Sequence, residues 1–213
     1  MKVKNGDIMN EVIKIFNQIK ETSSTNDKVK VIKSNGANEL FKQCLVFLLD
    51  NMVITGISNA KINKNVYGST KPLDTFLDVI DYLSNNKTGR DEDIAQIQSF
   101  INNQPIEHQE FYKQMITKSL KLGCDAKLVN KAIPNLIPTF DLMLGTPIDK
   151  CKLNGDEFIS LSHKLNGTRC AFVNGKLMTR QGKEYIGLDH IISEISELNL
   201  SDYFIDGELI YKN

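Results

Sequence analysis

The spacing of apolar residues changes once along this chain, and that change constrains the fold more than any other feature. From residue 7 to about residue 133, apolar residues recur at intervals of three or four, which predicts amphipathic helices. Beyond about residue 153 they alternate with polar residues, which predicts half-buried strands. Three prolines punctuate the passage between the two regions: Pro134, Pro138 and Pro147. We therefore expect a helical domain over residues 1–133 and an α+β domain over residues 134–213.

The helical domain is expected to contain a series of helices with recognisable ends. After a first helix through Ile8, Val12, Ile15 and Ile19, the expected helices cover 26–34, 37–50, 91–101, 107–122 and 125–132. A further helix is expected to begin at Pro72, because proline suits the first turn of a helix. The segment 54–69 is expected to be irregular. The apolar stripes of these helices are assigned to the core and to no function.

The second domain is expected to contain an antiparallel sheet. Strands are predicted over 157–162, 170–173, 176–179 and 203–211, with a helix over 188–198. Asn174 and Gly175 join the two middle strands, and this pair favours a type I′ hairpin turn. The fold class is thus a multidomain chain: an all-α domain followed by α+β antiparallel structure.

Charge and cysteine content exclude some classes of protein. The 26 basic residues balance 26 acidic ones, so the chain is not a non-specific polyanion binder, although a local basic surface is compatible with this balance. Four lysines cluster around Gly123: Lys118, Lys121, Lys127 and Lys131. Such lysines commonly form a solvated surface, but their clustering makes them candidates for DNA phosphate contacts. The four cysteines form no Cys-x-x-Cys pair, which favours reduced thiols over a zinc site. No apolar run is long enough to predict a membrane span.

The hexapeptide from Lys164 to Arg169 carries candidate chemistry. A neutral lysine amine is a nucleophile, and burial beside other cations favours the neutral form. Gly167 lacks a Cβ and permits close approach of the backbone to a ligand. Arg169 offers a planar fork of donors for phosphate or ribose oxygens. By itself the pattern is weak and more commonly marks a solvated hairpin turn.

Two later segments add to this pattern. Asp206 and Glu208 are expected on one face of their strand, where an ion, a ribose hydroxyl or a lysine would have to pair with them if they were buried. An exposed edge strand is the alternative. Arg180, followed by Gly182 and Lys183, leaves the hairpin in a segment suited to a phosphate or sugar, or to a plain loop.

Taken in order, these three segments resemble the motifs of the nucleotidyltransferase superfamily, which contains ATP-dependent DNA ligases and RNA capping enzymes. Residues 164–169 resemble its first motif, Lys-x-Asp-Gly-x-Arg, and residues 206–208 resemble the motif whose glutamate binds the nucleotide ribose. The chain is most similar to DNA ligases of the T-even bacteriophage type, strongly over 179–188 and 205–211 and weakly through 120–137. A helical DNA-binding domain before the nucleotidyltransferase domain fits a ligase and not a capping enzyme.

The resemblance implies a role for each matching residue. Lys164 would attack the α-phosphorus of ATP, with Mg²⁺ offsetting the phosphate charge, and the AMP would pass to the 5′-phosphate of nicked double-stranded DNA. The implied nucleotide-binding residues are His163 (through its backbone), Arg169, Arg180 and Glu208. The resemblance also implies action in DNA replication and repair, in the cytoplasm of a bacterial host, and no membrane partner. No metal ligands are assigned.

The sequence departs from the family pattern in two places. Asn166 stands where the family has aspartate, which puts phosphodiester formation in more doubt than self-adenylation. Residue 213 precedes the family's later motifs, so the expectation is the N-terminal part of a ligase that does not complete ligation alone. Three alternatives remain: an inert nicked-DNA-binding remnant of a prophage ligase, an RNA ligase or capping-type enzyme, and an unrelated α/β protein with chance motifs.

Overall fold

The computed structural model of the protein describes residues 5–68, 71–140, 142–152, 155, 158–200 and 203–211, with side chains from residue 9 onward. The chain divides into two compact units, Met1–Thr139 and Phe140–Asn213. In the described residues the first unit is helical, and the second contains an antiparallel sheet, one α-helix and a short 3-10 helix, Ile148–Lys150. This matches the fold class expected from the change in apolar spacing.

The first unit contains eight helices within the residues described. They are α1 (Asn5–Glu21), α2 (Thr25–Ser34), α3 (Glu39–Leu49), α4 (Asn59–Ile62), α5 (Phe76–Asn85), α6 (Asp91–Asn102), α7 (Ile106–Ile116) and α8 (Ala126–Ala132). Side chains that accept hydrogen bonds from the first turn begin several of them: Ser24 before α2, Asn38 before α3 and Asp125 before α8. No helix in the described part of the chain combines the length and apolarity that crossing a bilayer requires.

The core of the first unit contains interlocked aromatic rings. The ring of Phe16 lies edge-on to the rings of Phe41 and Phe111, each at a centroid distance of 5.5 Å. The rings of Phe100 and Tyr112 are 5.2 Å apart in the same orientation. Edge-to-face pairs of this kind add to the stabilisation from burial.

Two helix boundaries differ from those expected by more than two residues, and the short helix α4 lies in the segment 54–69, which was expected to be irregular. Helix α5 begins at Phe76 and not at Pro72, because Thr75 and Asp78 form a capping box that fixes the first turn. Helix α7 ends at Ile116, six residues before its expected end. Lys118 adopts a positive φ of 53°, and its amine donates to the backbone carbonyls of Asp50 and Val53. These long-range contacts stop the helix.

The second unit is built on a three-stranded antiparallel sheet in the order β2-β1-β3, where β1 is Thr168–Val173, β2 is Lys176–Thr179 and β3 is Ile205–Leu209. Asn174 and Gly175 have φ values of 49° and 74°, so the expected type I′ turn between β1 and β2 is confirmed. One face of the sheet packs against α9 (Asp189–Glu197). This small core contains Cys170, Phe172, Leu177, Ile191, Ile192, Ile195, Ile205 and Leu209.

The strand expected over 157–162 is wrong for the residues described. Residue 157 lies outside the described residues, and residues 158–162 have no regular secondary structure. Phe158 and Leu161 are 94% and 92% exposed. Alternation predicts a strand only if a neighbouring strand satisfies its backbone groups. The three strands of the described sheet do not pair with this segment.

The cysteines occupy different environments, and all four are free thiols. Cys44 and Cys170 are buried, and burial raises the pKa of the Cys44 thiol to about 12. Cys124 is half-buried, whereas Cys151 is exposed. The expectation of core thiols therefore holds for two of the four.

Candidate functional site

The strand register brings the three chemical segments to one end of the sheet. Arg169 pairs with Glu208 across β1 and β3, and Cys170 pairs with Thr179 across β1 and β2. The start of β1, the end of β2 and the end of β3 therefore lie side by side. These are the points at which residues 164–169, 179–183 and 206–208 meet the sheet.

Arg169, Asp206 and Glu208 share the face of the sheet opposite α9. Arg169 lies directly across from Glu208. Asp206 lies across from Ala171, which is the next residue after Arg169 on this face of β1. Gly207 falls on the opposite face, across from Cys170. The expectation that Asp206 and Glu208 share a face is thus confirmed.

Arg169 is held in place by two groups. Its Nε donates to Oδ1 of Asp206 at 3.0 Å, and its Nη2 donates to Oδ2 of Asp206 and, at 2.7 Å, to the carbonyl oxygen of Met143. This is a bidentate arginine–carboxylate pair. The hydrogen bonds from Arg169 hold the pKa of the Asp206 carboxyl below its usual value. Asp206, with a smaller contribution from Glu208, raises the pKa of Arg169.

The guanidinium of Arg169 can still donate hydrogen bonds to a ligand, in addition to the bonds that it makes within the chain. Arginine has five N–H donors, and the three bonds to Asp206 and Met143 use those of Nε and Nη2. Among the residues described, none accepts a hydrogen bond from Nη1 of Arg169. Asp206 thus orients the fork, and Nη1 remains available to an acidic or hydroxylated ligand.

Two of the three glycines in these segments, Gly167 and Gly182, lie close to other parts of the chain. A Cβ on Gly167 would lie 2.4 Å from the carbonyl oxygen of Leu209, so this glycine permits β1 to approach β3. Gly182 has a φ of 79°, and a Cβ there would lie 2.6 Å from Cβ of Phe140. Both residues position the segments that carry the charged groups.

The remaining sequence-predicted residues of this site are exposed. His163, Lys164 and Asn166 lie in a segment without regular secondary structure that precedes β1, so Lys164 is neither at the end of a strand nor buried. Arg180 is exposed in the turn after β2. In that turn, the hydroxyl of Thr179 accepts hydrogen bonds from the backbone N–H groups of Gln181 and Lys183.

Tyr185 was missed by the sequence reasoning. Its hydroxyl donates to the backbone carbonyl of Arg169 at 3.3 Å, and its ring packs against the small core beneath the sheet. The neighbouring Arg180-x-Gly182-Lys183 pattern was a usable signal for its position. Nothing in the sequence indicated that the carbonyl of Met143 would contact Arg169.

The lysine cluster around Gly123 separates into two kinds of residue. The amine of Lys118 donates to the backbone carbonyls of Asp50 and Val53 and so anchors this segment within the fold, while its DNA contact stays a prediction. Lys121, Lys127 and Lys131 are exposed, the last two one turn apart on α8.

Gly123 itself packs against a buried cation. Lys28 is only 5% exposed, and its amine donates to the carbonyl oxygen of Leu122. A Cβ on Gly123, whose φ is 64°, would lie 2.7 Å from that amine. The space beside Gly123 is therefore occupied by the side chain of Lys28.

Within the described residues, no three side chains of histidine, cysteine, aspartate or glutamate cluster in a way that could hold a metal ion. Of the two carboxylates on the polar face of the sheet, Asp206 is already paired with Arg169. The described side chains do not form a magnesium site on their own.

A helical unit, followed by a sheet at whose end these three segments meet, resembles the N-terminal portion of a DNA ligase. Over 94% of its length the chain is 26% identical to the DNA ligase of Enterobacteria phage T4, and it is equally similar to that of phage T6. The chain spans 45% of each of these relatives. The resemblance to T-even phage ligases expected from the sequence is confirmed. No family model matches the chain.

Two solved structures share the fold. Pmar-Lig_PreS3 superimposes with a TM-score of 0.66 at 20% identity, and Pmar-Lig_Pre with a TM-score of 0.61 at 21% identity. Each comparison covers 94% of this chain and 50% of the other chain. At this level of identity the likeness establishes the fold alone.

Proposed function

We propose that this chain is the N-terminal part of an ATP-dependent DNA ligase, made of a DNA-binding domain over 1–133 and part of an adenylation domain over 134–213. The observation that carries the proposal is the convergence of residues 164–169, 179–183 and 206–208 at one end of the sheet. Similarity to phage DNA ligases over 94% of the chain supports it. The setting would be replication or repair of DNA in the cytoplasm of a phage-infected or prophage-carrying bacterium.

The proposed reaction of this part is self-adenylation at Lys164. The neutral Nζ attacks the α-phosphorus of ATP, an N–P bond forms, and the bond to the bridging oxygen breaks as pyrophosphate leaves. The amine loses a proton to solvent. In the complete reaction, the AMP passes to the 5′-phosphate at a nick, and the 3′-hydroxyl then displaces it.

The other residues are assigned to binding. Glu208 is exposed on the polar face and is assigned to a ribose hydroxyl, for which a carboxylate is a strong acceptor. Arg169, oriented by Asp206, and Arg180 are assigned to phosphate or sugar oxygens. The backbone at His163 is assigned to the adenine. Exposed Lys121, Lys127 and Lys131 are assigned to DNA phosphates.

ATP and Mg²⁺ are the proposed cofactors. Magnesium is commonly held by substrate phosphates with only one or two protein carboxylates. We assign it no protein ligands.

Labelling with ATP carrying ³²P in the α-phosphate tests the proposal. The wild type, Lys164→Ala and Lys150→Ala are incubated with magnesium and then denatured. Lys150 is an exposed lysine of the same unit and serves as the matched control. We expect stable label on the wild type and on Lys150→Ala, and none on Lys164→Ala. Equal labelling of all three proteins would contradict the assignment of Lys164.

The alternative, an inert DNA-binding remnant, is distinguished in the same experiment. It predicts no label on any variant while a gel-shift assay still detects binding to a nicked duplex. Preference for an RNA nick over a DNA nick would instead select the RNA-ligase class. The chain's similarity to phage DNA ligases favours the DNA substrate.

A further inference from the structure

A polar groove crosses the surface of the helical unit. It consists of two adjoining cavities of about 520 and 290 Å³ that share Ile62, Asn63 and Lys113. The walls come from the last turn of α1, the α4 region, α6, α7 and the segment that follows α7. We call this feature the lysine groove.

The lysine groove is positively charged although the whole chain has no net charge. Four lysines line it, against one lining carboxylate: Lys20, Lys64, Lys113 and Lys121, with Glu110. Lys64 also forms an exposed ion pair with Asp91 outside the lining, with the Nζ and Oδ1 atoms 3.8 Å apart. The carboxylate of Glu110 accepts a hydrogen bond from the side chain of Gln114 at 2.8 Å. The polar lining residues that remain are hydrogen-bonding amides and hydroxyls, such as Asn59 and Ser119. Lysine amines can pair with phosphate groups, and amide or hydroxyl groups can donate hydrogen bonds to phosphate oxygens. A groove lined by both kinds of group is therefore suited to a sugar-phosphate backbone.

Specific contacts hold the walls of the groove in place. The side-chain amide of Gln98 donates to the carbonyl oxygens of Ile62, at 2.8 Å, and Lys64, at 2.7 Å, and so fixes the wall between them. On the other side, the backbone N–H of Ser119 donates to the carbonyl oxygen of Gln114. The amine of Lys118 donates to the backbone carbonyls of Asp50 and Val53, which follow α3. These bonds fix the segment that leads to Lys121.

We propose that the lysine groove binds the sugar-phosphate backbone of duplex DNA. This inference rests on the proposed function and extends it, because it places the backbone against Lys20, Lys64 and Lys113 as well as Lys121. Of these, only Lys121 was singled out by the sequence reasoning. Phosphates pair with the amines, and the amides and hydroxyls of the walls contact phosphate or sugar oxygens. Binding of this kind is independent of base sequence and weakens with salt.

Charge-matched double variants of the full chain test the inference. Lys20→Gln with Lys121→Gln removes two exposed lysines of the groove, whereas Lys14→Gln with Lys87→Gln removes two exposed lysines that line neither cavity. Affinity for a fluorescent nicked duplex is measured by anisotropy from low to moderate salt. Melting curves establish that both variants are folded.

We expect the groove variant to bind at least tenfold more weakly at low salt. The slope of log K against log salt should fall by about 2 in magnitude, since each phosphate contact contributes about 0.9. The control variant should bind within twofold of the wild type. Lys20→Arg with Lys121→Arg should bind as the wild type does, because the charge is retained. Equal losses in the two glutamine double variants, no loss in the groove variant, or no binding by the wild type would overturn the inference.

Two further measurements distinguish DNA binding in the groove from capture of free phosphate and from adenylation. Inorganic phosphate should compete with the duplex no better than chloride at the same ionic strength; stronger competition by phosphate would assign the groove to a free anion and overturn the DNA assignment. Label on Lys164 of the wild type is measured in parallel. Its absence, together with the expected groove result, would count against the proposed adenylation and not against the groove.

Discussion

Arg169 and Asp206 determine what the polar face of the sheet presents to a ligand. Asp206 forms a bidentate pair with Arg169, whereas Glu208, across from Arg169, is exposed. One carboxylate therefore orients a cation and the other is presented to solvent. A substitution at Asp206 should act on ligand binding through the position of Arg169.

Removal of the guanidinium should change the titration of Asp206. Hydrogen bonds from Arg169 lower the pKa of this carboxyl from its ordinary value of 3.8. We predict that Arg169→Gln moves its midpoint back up towards 3.8, measured by carbon NMR of the carboxyl group. A carboxyl whose pKa is lowered by folding stabilises the fold above its unfolded pKa, and this contribution is lost as the pH falls through the folded value. In Arg169→Gln that stabilisation should be reduced at neutral pH.

Asp27 provides an internal control for this titration. Its pKa is lowered by a hydrogen bond from Lys30 in the other unit of the chain. The Asp27 midpoint should be the same in the wild type and in Arg169→Gln. An unchanged midpoint for Asp206 in the variant would show that Arg169 does not hold its carboxylate in solution.

Among the elements, the turn after β2 depends on a single close contact. Gly182 and Gly187 have nearly equal φ values of 79° and 80°, but only a Cβ at position 182 would meet another atom, Cβ of Phe140 at 2.6 Å. We predict that Gly182→Ala costs more free energy of unfolding than Gly187→Ala. Each alanine costs about 1–2 kcal/mol for its backbone conformation, and overpacking adds about 1–3 kcal/mol at position 182 alone. Urea unfolding of the two variants measures the difference.

A second substitution isolates the cause of this difference. Phe140→Ala removes the ring and leaves the Cβ, so the backbone at residue 140 is freer to move away from residue 182. Gly182→Ala should therefore lower the free energy of unfolding less in the Phe140→Ala background than in the wild type. If Gly182→Ala and Gly187→Ala have equal effects, the contact with Phe140 does not constrain the turn.

The elements also show how far the sequence predicts this fold. A local signal was sufficient for the Asn174-Gly175 turn, because two adjacent residues determine its type. Predictions failed where a distant group decides. Helix α7 stops because Lys118 contacts Asp50 and Val53, and residues 158–162 have the pattern of a strand but no pairing within the described sheet.

The candidate site was predictable to a similar extent. Because side chains alternate between the two faces of a strand, the sequence predicted that Asp206 and Glu208 share a face, and the strand register confirms this. Their partner was not predictable, because 37 residues separate Asp206 from Arg169 and only the pairing of β1 with β3 brings them together. Likewise, nothing in the sequence indicated that the buried amine of Lys28 would lie beside Gly123.

At the scale of the whole molecule, the two units have cores of very different size. Every buried residue of the larger apolar cluster lies between Met9 and Ile137, within the first unit. In the described residues of the second unit, the corresponding cluster has three buried members, Cys170, Phe172 and Leu177. A large core within one contiguous stretch is the condition for independent folding.

We therefore predict that residues 1–139 fold without the rest of the chain. The isolated fragment should show a helical circular dichroism spectrum and a single cooperative urea transition, because its core needs no residue from the second unit. Since the lysine groove lies entirely within this stretch, the folded fragment should bind a nicked duplex within about threefold of the full chain, with the same dependence on Lys20 and Lys121. A fragment that folds cooperatively but does not bind would mean that the second unit supplies the main DNA contacts. A fragment with no cooperative transition would show that the first unit depends on the second for its stability, despite its larger core.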